Sequence, residues 1–232
     1  MVKFNNHGYC KFIKLLINAN YDFISYTQTK DSKKFCLLRH DIDASVSYAY
    51  EMAKIESNLG IKSTYFFMTS SSMYNPFNEI NSIYIKKIIA MGFDIGLHYN
   101  QVDFGSKIIE DINVQTKMLE NFFNIKISTV SFHQPNIDII QNNIKINLIN
   151  TYDKTDMTGI HYISDSNMNF RDNNPFEIIK NSQKQKLQIL IHPIWWLSEG
   201  NNTIEKWDFC INKNTLEIKK YLHKTEDAYS YE

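Results

Sequence analysis

Apolar and polar positions divide the chain into short apolar runs separated by stretches with a helical period. Phe35–Leu38, Ser63–Met68, Phe93–Leu97, Ile127–Phe132, Ile160–Ser164 and Leu187–Ile191 predict strands covered on both faces, with a weaker one at Asn147–Tyr152. Phe12, Leu15, Leu16 and Ala19 give Tyr9–Asn20 the face of an amphipathic helix. Val46, Ala49, Tyr50 and Ala53 mark a second helix from Ser45, which Gly60 is placed to end. Ile80, Tyr84, Ile88 and Met91 trace a third before Gly92, and Lys107–Asn124 holds a fourth. A short helix opens at Pro175, and Thr203–Lys224 is a helical tail.

Strand, polar tip, helix, strand is the order of parallel strands joined by right-handed crossovers. It predicts one α/β domain over residues 1–232, with an N-terminal helix at 9–20, a (β/α) barrel core at about 35–196 and a tail at 203–224. Such a barrel, complete or incomplete, gathers the C-terminal ends of its strands at one mouth, where active sites sit. Asp41, Asp43, His98, His133 and His192 each follow an apolar run, so all five are expected there.

Composition narrows the classes. With 43% apolar and 22% charged residues the chain reads as a soluble globular protein, and a net charge of zero offers no general attraction to nucleic acid. No apolar run is long enough to span a membrane, and no signal-peptide pattern opens the chain, so a cytoplasmic location is expected. Cys10, Cys36 and Cys210 are too scattered for a disulfide framework and are expected reduced. Arg39 and Arg171 are the only arginines among many lysines, and arginine's planar fork can orient a carboxylate as lysine cannot.

The chemistry concentrates at Arg39-His40-Asp41-Ile42-Asp43. Carboxylates and imidazoles on rigid strand ends suit Zn²⁺ or a similar divalent ion. The D-x-D spacing lets one carboxylate hold the ion while the other serves as base, with a histidine across the mouth as acid. A D-x-D after a strand also fits a sugar-nucleotide transferase or an aspartyl-phosphate phosphatase, and carboxylates beside Arg39 also fit a structural ion-pair network.

In this order and at these intervals, "LLRHDIDAS", "GFDIGLHYN", "STVSFHQPN" and "LQILIHPIWW" resemble the polysaccharide deacetylases of the NodB-homology type. The resemblance covers roughly Phe35 to Trp196 and implies a distorted, often incomplete barrel that removes acetyl groups from glycans with a divalent metal, zinc being expected. The R-H-D-x-D form and "YISDS…FR" look like a branch associated with bacterial surface-polysaccharide biosynthesis. Carried over, the resemblance makes Asp41 the base, Asp43 and His98 metal ligands, and His192 the general acid. Two positions depart from the pattern: the second metal histidine falls on Val102, and the third motif reads His133-Gln134-Pro135-Asn136 where the family offers Arg before Pro-Tyr. His133 is therefore expected as the replacement ligand, with Asn100 and Asp103 as lesser candidates and Arg39 or Arg171 in place of the arginine. Asp165 and Arg171 would pair to orient a catalytic group, or merely to hold a loop. Trp195, Trp196 and Tyr99 are read as aromatic substrate contacts, with Asp165 beside them.

The expectation is a metal-dependent hydrolase removing an acyl group from an amino sugar, its substrate a sugar nucleotide or lipid-linked glycan. Its rival is a carbohydrate- or partner-binding protein on the same fold with a degraded metal site.

Overall fold

The computed structural model describes residues 3–29, 32–100, 107–135, 144–153, 155, 157–171, 174–181 and 184–229. Val102, Asp103 and Asn136 fall outside them.

Eight parallel strands make one sheet: β1 (Asp22–Phe23), β2 (Phe35–Ile42), β3 (Thr64–Phe67), β4 (Asp94–Tyr99), β5 (Thr129–Phe132), β6 (Ile149–Asn150), β7 (His161–Ser164) and β8 (Lys186–Ile191). The spatial order is β6-β5-β4-β3-β2-β8-β7, with β1 added beside the start of β2. Read round the ring, β2 to β6 run in chain order, and β8 returns to pair with β2 from Phe35 to His40. One seam stays open, because β6 and β7 share no ladder among the described residues. The edges nevertheless meet: the rings of Tyr152, just after β6, and Tyr162 of β7 are 6.3 Å apart. Across the interior, Gln188 Nε2 of β8 donates to the carbonyl of Thr151 at 3.0 Å. The sheet is thus curled into a distorted, incomplete barrel, as the alternation of elements predicts.

Around it lie α1 (Asn6–Asn18), α2 (Val46–Leu59), α3 (Glu79–Ala90), α4 (Ile108–Phe123), α5 (Pro175–Lys180), α6 (Pro193–Leu197) and α7 (Thr203–Thr225). Gly60 ends α2 in the left-handed conformation, φ 69°, which a residue without Cβ adopts at no steric cost. None of the described helices is long and apolar enough to cross a membrane.

Period-2 alternation on β2 sorts the chemistry. Phe35, Leu37, Arg39 and Asp41 face the barrel interior, and Asp43 follows in the same phase just past the strand end. Phe35, Leu37, Tyr26 and Phe66 seal the N-terminal end with apolar contacts, and each inward step after them is more polar. Cys36, Leu38 and Ile42 point outward into the large core beneath the helices. His40 also points outward. There Glu56 of α2, fully buried, accepts from His40 Nε2 (2.7 Å), Ser63 Oγ (2.6 Å), Tyr65 OH (2.7 Å) and the Tyr9 hydroxyl. Burial pushes the Glu56 carboxyl up, but His40 and the hydroxyl donors outweigh it and hold the group below its ordinary range. His40 is thereby a structural residue tying α1, α2 and β3 to β2.

This layout revises one boundary. The apolar run ends at Leu38 in the sequence, yet β2 continues to Ile42 and every residue in it is buried. Charge does not break the strand, because Arg39 and Asp41 neutralise each other on one face while His40 meets Glu56 on the other.

Gly96 of β4 gives a first prediction. A Cβ there would lie 2.4 Å from the Phe66 ring and 2.9 Å from Thr129 Oγ1, both packed inside the barrel. Gly96→Ala should cost about 1–3 kcal/mol by overpacking, read from the denaturation midpoint at unchanged slope.

Candidate active site

The interior is stacked in layers towards the C-terminal mouth. Arg39 occupies the first polar layer, wholly buried. Its Nε donates to Asp41 Oδ1 at 2.8 Å and its Nη2 to Asp41 Oδ2 at 2.6 Å, a two-pronged grip. The rest of the guanidinium is satisfied by Thr151 Oγ1 (2.8 Å) and the Tyr152 hydroxyl (2.9 Å), with its carbon 4.7 Å above the Tyr152 ring centroid. Burial pushes the Asp41 carboxyl up, but Arg39, then His98, more than offset it and hold it below its ordinary value. Asp41 is therefore ionised at neutral pH.

One layer up, Ser131 of β5 joins two groups. His98 Nδ1 lies 2.7 Å from Ser131 Oγ, which in turn donates to Asp41 Oδ1 at 3.2 Å. An ionised Asp41 can only accept, so the serine proton points to it and the His98 Nδ1 proton points to the serine. That keeps a proton on Nδ1 and turns His98 Nε2 to the mouth, 3.0 Å from Asp43 Oδ1, as the ring atom an ion would take.

At the mouth, Asp43 Oδ1 lies 3.0 Å from His98 Nε2 and 3.4 Å from His133 Nδ1. Donor atoms of Asp43, His98 and His133 all fall within 4.8 Å of one another. Ligand bonds of about 2.0–2.1 Å in a tetrahedron put neighbouring donors roughly 3.3 Å apart, so the spacings fit a small divalent ion. Two imidazoles and one carboxylate are a donor set of catalytic-zinc type, which keeps a fourth position open. Burial raises the Asp43 carboxyl, yet hydrogen bonds from His133 and His98 and the charge of His192 outweigh it and hold it far below the carboxylate range. His133 is raised, chiefly by that same hydrogen bond, which it donates to Asp43. His133 directly follows β5, and the residue after it, Gln134, turns at φ 45°, a left-handed value rare outside glycine.

Opposite stands His192, at the end of β8. Its Nδ1 is 2.6 Å from Asp165 Oδ1, and its Nε2 faces the mouth 3.7 Å from Asp43 Oδ2. Asp165, fully buried, also accepts from the His192 backbone N–H (3.1 Å) and from Trp196 Nε1 (2.7 Å). Desolvation alone would lower the imidazole, but Asp165 outweighs it, and with Asp43 and Asp41 raises it to about 9. His192 is thus a protonated group at neutral pH, presenting Nε2–H to the mouth. A divalent ion on Asp43 would cancel that aspartate's share and leave Asp165 as the main support. Asp165→Asn should accordingly move the alkaline limb of the kcat–pH profile towards acid, with the acid limb, set by Asp41, staying in place.

The chain is similar to solved structures of carbohydrate deacetylases. No family model matches it, and no curated protein does. One similar structure is a mutant of a CE4-family pseudoenzyme with restored activity: 17% identity, TM-score 0.48, covering 80% of this chain and 64% of that one. This chain therefore spans less than two thirds of that protein's length. The peptidoglycan deacetylase PdaC from Bacillus subtilis is 10% identical, with TM-score 0.48, over 86% of this chain and 98% of that one. A Bordetella bronchiseptica protein described as a polysaccharide deacetylase involved in O-antigen biosynthesis is 11% identical, with TM-score 0.41, over 85% and 99%. At such identities and scores, the chemistry of this site stands on its own residues.

The structure brings Asp41, Asp43, His98, His133, His192, Arg39 and Asp165 together and leaves four other expected site residues out. Arg171 is exposed, at φ 53°, and makes no pair with Asp165, whose oxygens are taken by His192 and Trp196. Of the two arginines, Arg39 is the one inside the barrel, paired with Asp41. Trp196 is 1% exposed, packed against Tyr9 (5.6 Å) and Phe4 (4.7 Å), so it offers no face to a sugar and serves instead to hold Asp165. Trp195, 4% exposed, packs edge-on to Trp207 at 5.9 Å. Tyr99 is 2% exposed and outward-facing against Phe132, because its neighbour on β4, His98, takes the inward position. Asp165 is itself a positioning residue for His192 and too buried to touch substrate. Asn100 is half-buried just beyond the end of β4. Ser131 and Tyr152 were not singled out. Ser131 had a signal, since it lies two before His133 and so shares its face; Tyr152 had none.

Proposed function

We propose that this protein is a metal-dependent hydrolase that removes an acyl group, acetyl in the first instance, from an amino sugar of a bacterial glycan or its precursor. The reading rests on one observation: Asp43, His98 and His133 form a compact donor set flanked by an ionised carboxylate, Asp41, and a protonated imidazole, His192. A divalent ion held by those three would polarise the acyl carbonyl and make a water acidic enough to attack it. Asp41 receives the proton that the attacking water loses. Arg39 and Ser131 fix its carboxylate, and Oδ2, which accepts only from Arg39 Nη2, retains a lone pair for the task. His192 Nε2 gives its proton to the departing nitrogen while Asp165 steadies the ring at Nδ1. Water and an amide are consumed; a carboxylic acid and an amine leave.

The amino-sugar substrate and the link to surface-polysaccharide biosynthesis are supported by the motif resemblance. A carbohydrate-binding role without catalysis is not favoured: the aromatic residues expected to stack on a sugar are buried in the core. The test is acetate release from N-acetylglucosamine oligomers, nucleotide-linked N-acetyl sugars and an aryl acetate, with and without added Zn²⁺. Release that depends on the ion and disappears in Asp41→Asn is expected. Glycan binding without release from any of them would overturn the proposal.

A further inference from the structure

Three of the groups at the mouth have a side chain behind them that aims them. Ser131 holds His98, Arg39 holds Asp41, and Asp165 holds His192. Asp43 differs: among the described residues, the side chains that meet its oxygens are the histidines of the mouth itself. Nor does a ladder fix its backbone. The register of β2 ends at Ile42↔Phe67 on the β3 side and at His40↔Ile191 on the β8 side, both short of Asp43.

A hydroxyl stands at that break. Tyr74 OH, from the loop after β3, donates to the Ile42 carbonyl at 2.7 Å and accepts from the Met68 N–H at 2.9 Å. Ile42 is the last residue of β2 and Met68 the first past β3, so one hydroxyl clasps two strand ends together. The Ile42 carbonyl belongs to the planar peptide that leads into Asp43. Holding it holds the plane from which the Asp43 side chain departs. Burial, and after it the charges of Asp43 and Asp41, push the Tyr74 hydroxyl above its ordinary value against the pull of the Met68 N–H. It therefore keeps the proton it gives to Ile42.

The loop is itself secured from outside the sheet. Thr69 Oγ1 donates to Gln115 Oε1 of α4 at 2.6 Å, and Asn214 Nδ2 of α7 donates to the Met73 carbonyl at 3.3 Å. Between them the Met73 N–H donates to Ser71 Oγ at 3.0 Å. Two helices thus steady the loop that carries the clasp.

We infer that Tyr74 is a positioning residue for Asp43: through the Ile42 carbonyl, its hydroxyl sets the aspartate where a divalent ion can share it with His98 and His133. This rests on the metal-dependent hydrolase proposed above and adds a residue outside its donor set. Tyr74 acts on affinity for the ion and leaves the proton transfers alone, since Asp41 and His192 keep their own partners. Losing a group that orients a ligand typically costs 10–100-fold in metal affinity.

Tyr74→Phe tests this, because it removes the hydroxyl and keeps the ring that packs against the core. Calorimetric titration of the full chain with Zn²⁺ should show the dissociation constant raised about tenfold or more. In the metal-free protein the Met68 amide should exchange its hydrogen at least about tenfold faster, while the amides of Arg39 and His40, inside the ladder, keep their rates. Acyl hydrolysis should fall at limiting zinc and return to within about threefold of the parent at saturating zinc, with both limbs of the kcat–pH profile in place.

Gly60→Ala separates positioning from plain destabilisation. Gly60 has φ 69°, and the 14 residues of α2 carry it about 20 Å from the mouth, so this change should lower the denaturation midpoint and leave zinc affinity unaltered. A parent that binds zinc, with Tyr74→Phe within about twofold of its affinity or Gly60→Ala weakened as much, would overturn the inference and leave the proposed function standing. A parent that binds no zinc would overturn both.

Discussion

Asp43→Ala is expected to abolish binding of one equivalent of Zn²⁺ and to lower acyl hydrolysis by roughly a thousandfold, about 4 kcal/mol of transition-state stabilisation. Asp43 is the hub of the mouth: one oxygen faces His98 at 3.0 Å and His133 at 3.4 Å, and the other faces His192 at 3.7 Å. Removing it leaves two imidazoles with no anionic partner between them, a poor site for a hard or borderline cation. Folding should survive, since the side chain lies past the end of β2 and is 15% exposed. Calorimetric zinc titration and acetate release on the same preparation separate the two effects. Unaltered zinc affinity with lost activity would shift Asp43 from ligand to base and exchange its role with Asp41.

The second large effect is on stability. Arg39→Met removes a guanidinium that is 0% exposed and leaves Asp41 ionised, buried and without its two-pronged partner. Breaking a buried pair from one side costs about 3–5 kcal/mol. For a domain of this size that corresponds to a fall of roughly ten degrees or more in Tm. Arg39→Met with Asp41→Leu should be less destabilised than the single change, because neither charge remains unpaired; the double-mutant cycle gives the coupling. A single variant within about 1 kcal/mol of the parent would show that water reaches this layer and screens the pair. The same substitution should lower activity beyond its effect on stability, since Arg39 also aims Asp41.

Much of this site is legible in the chain because strand ends of a parallel barrel converge regardless of loop detail. Each of Asp43, His98, His133 and His192 follows an apolar run, and the topology alone carries them to one rim. Val102 and His133, taken together, gave the sharper expectation that the third donor stands not at position 102 but at the tip of β5. The donor cluster has that composition. What the sequence reading misplaced follows from parity and packing. On a strand, Tyr99 must face away from an inward His98, so placing both at the mouth ignored the period of two. Trp195 and Trp196 lie on the short α6, whose direction depends on how Phe4, Tyr9 and Phe12 fill the space beneath it. No local pattern encodes that. Glu56 was likewise unreadable: it looks like an ordinary solvent-facing helix residue until Tyr9, His40, Ser63 and Tyr65 are seen to converge on it. Arg39 and Arg171 stand level in the sequence, and only the fold separates them, turning the first into the barrel and leaving the second on the surface.

The central claim is that His133 completes the donor set with Asp43 and His98. A crystal structure of the protein with Zn²⁺ tests it most directly. The account predicts one ion with His133 Nδ1, His98 Nε2 and an Asp43 oxygen each at about 2.0–2.1 Å and a fourth position open to solvent. An ion bound without His133, or no ion at the mouth at full zinc saturation, would contradict it.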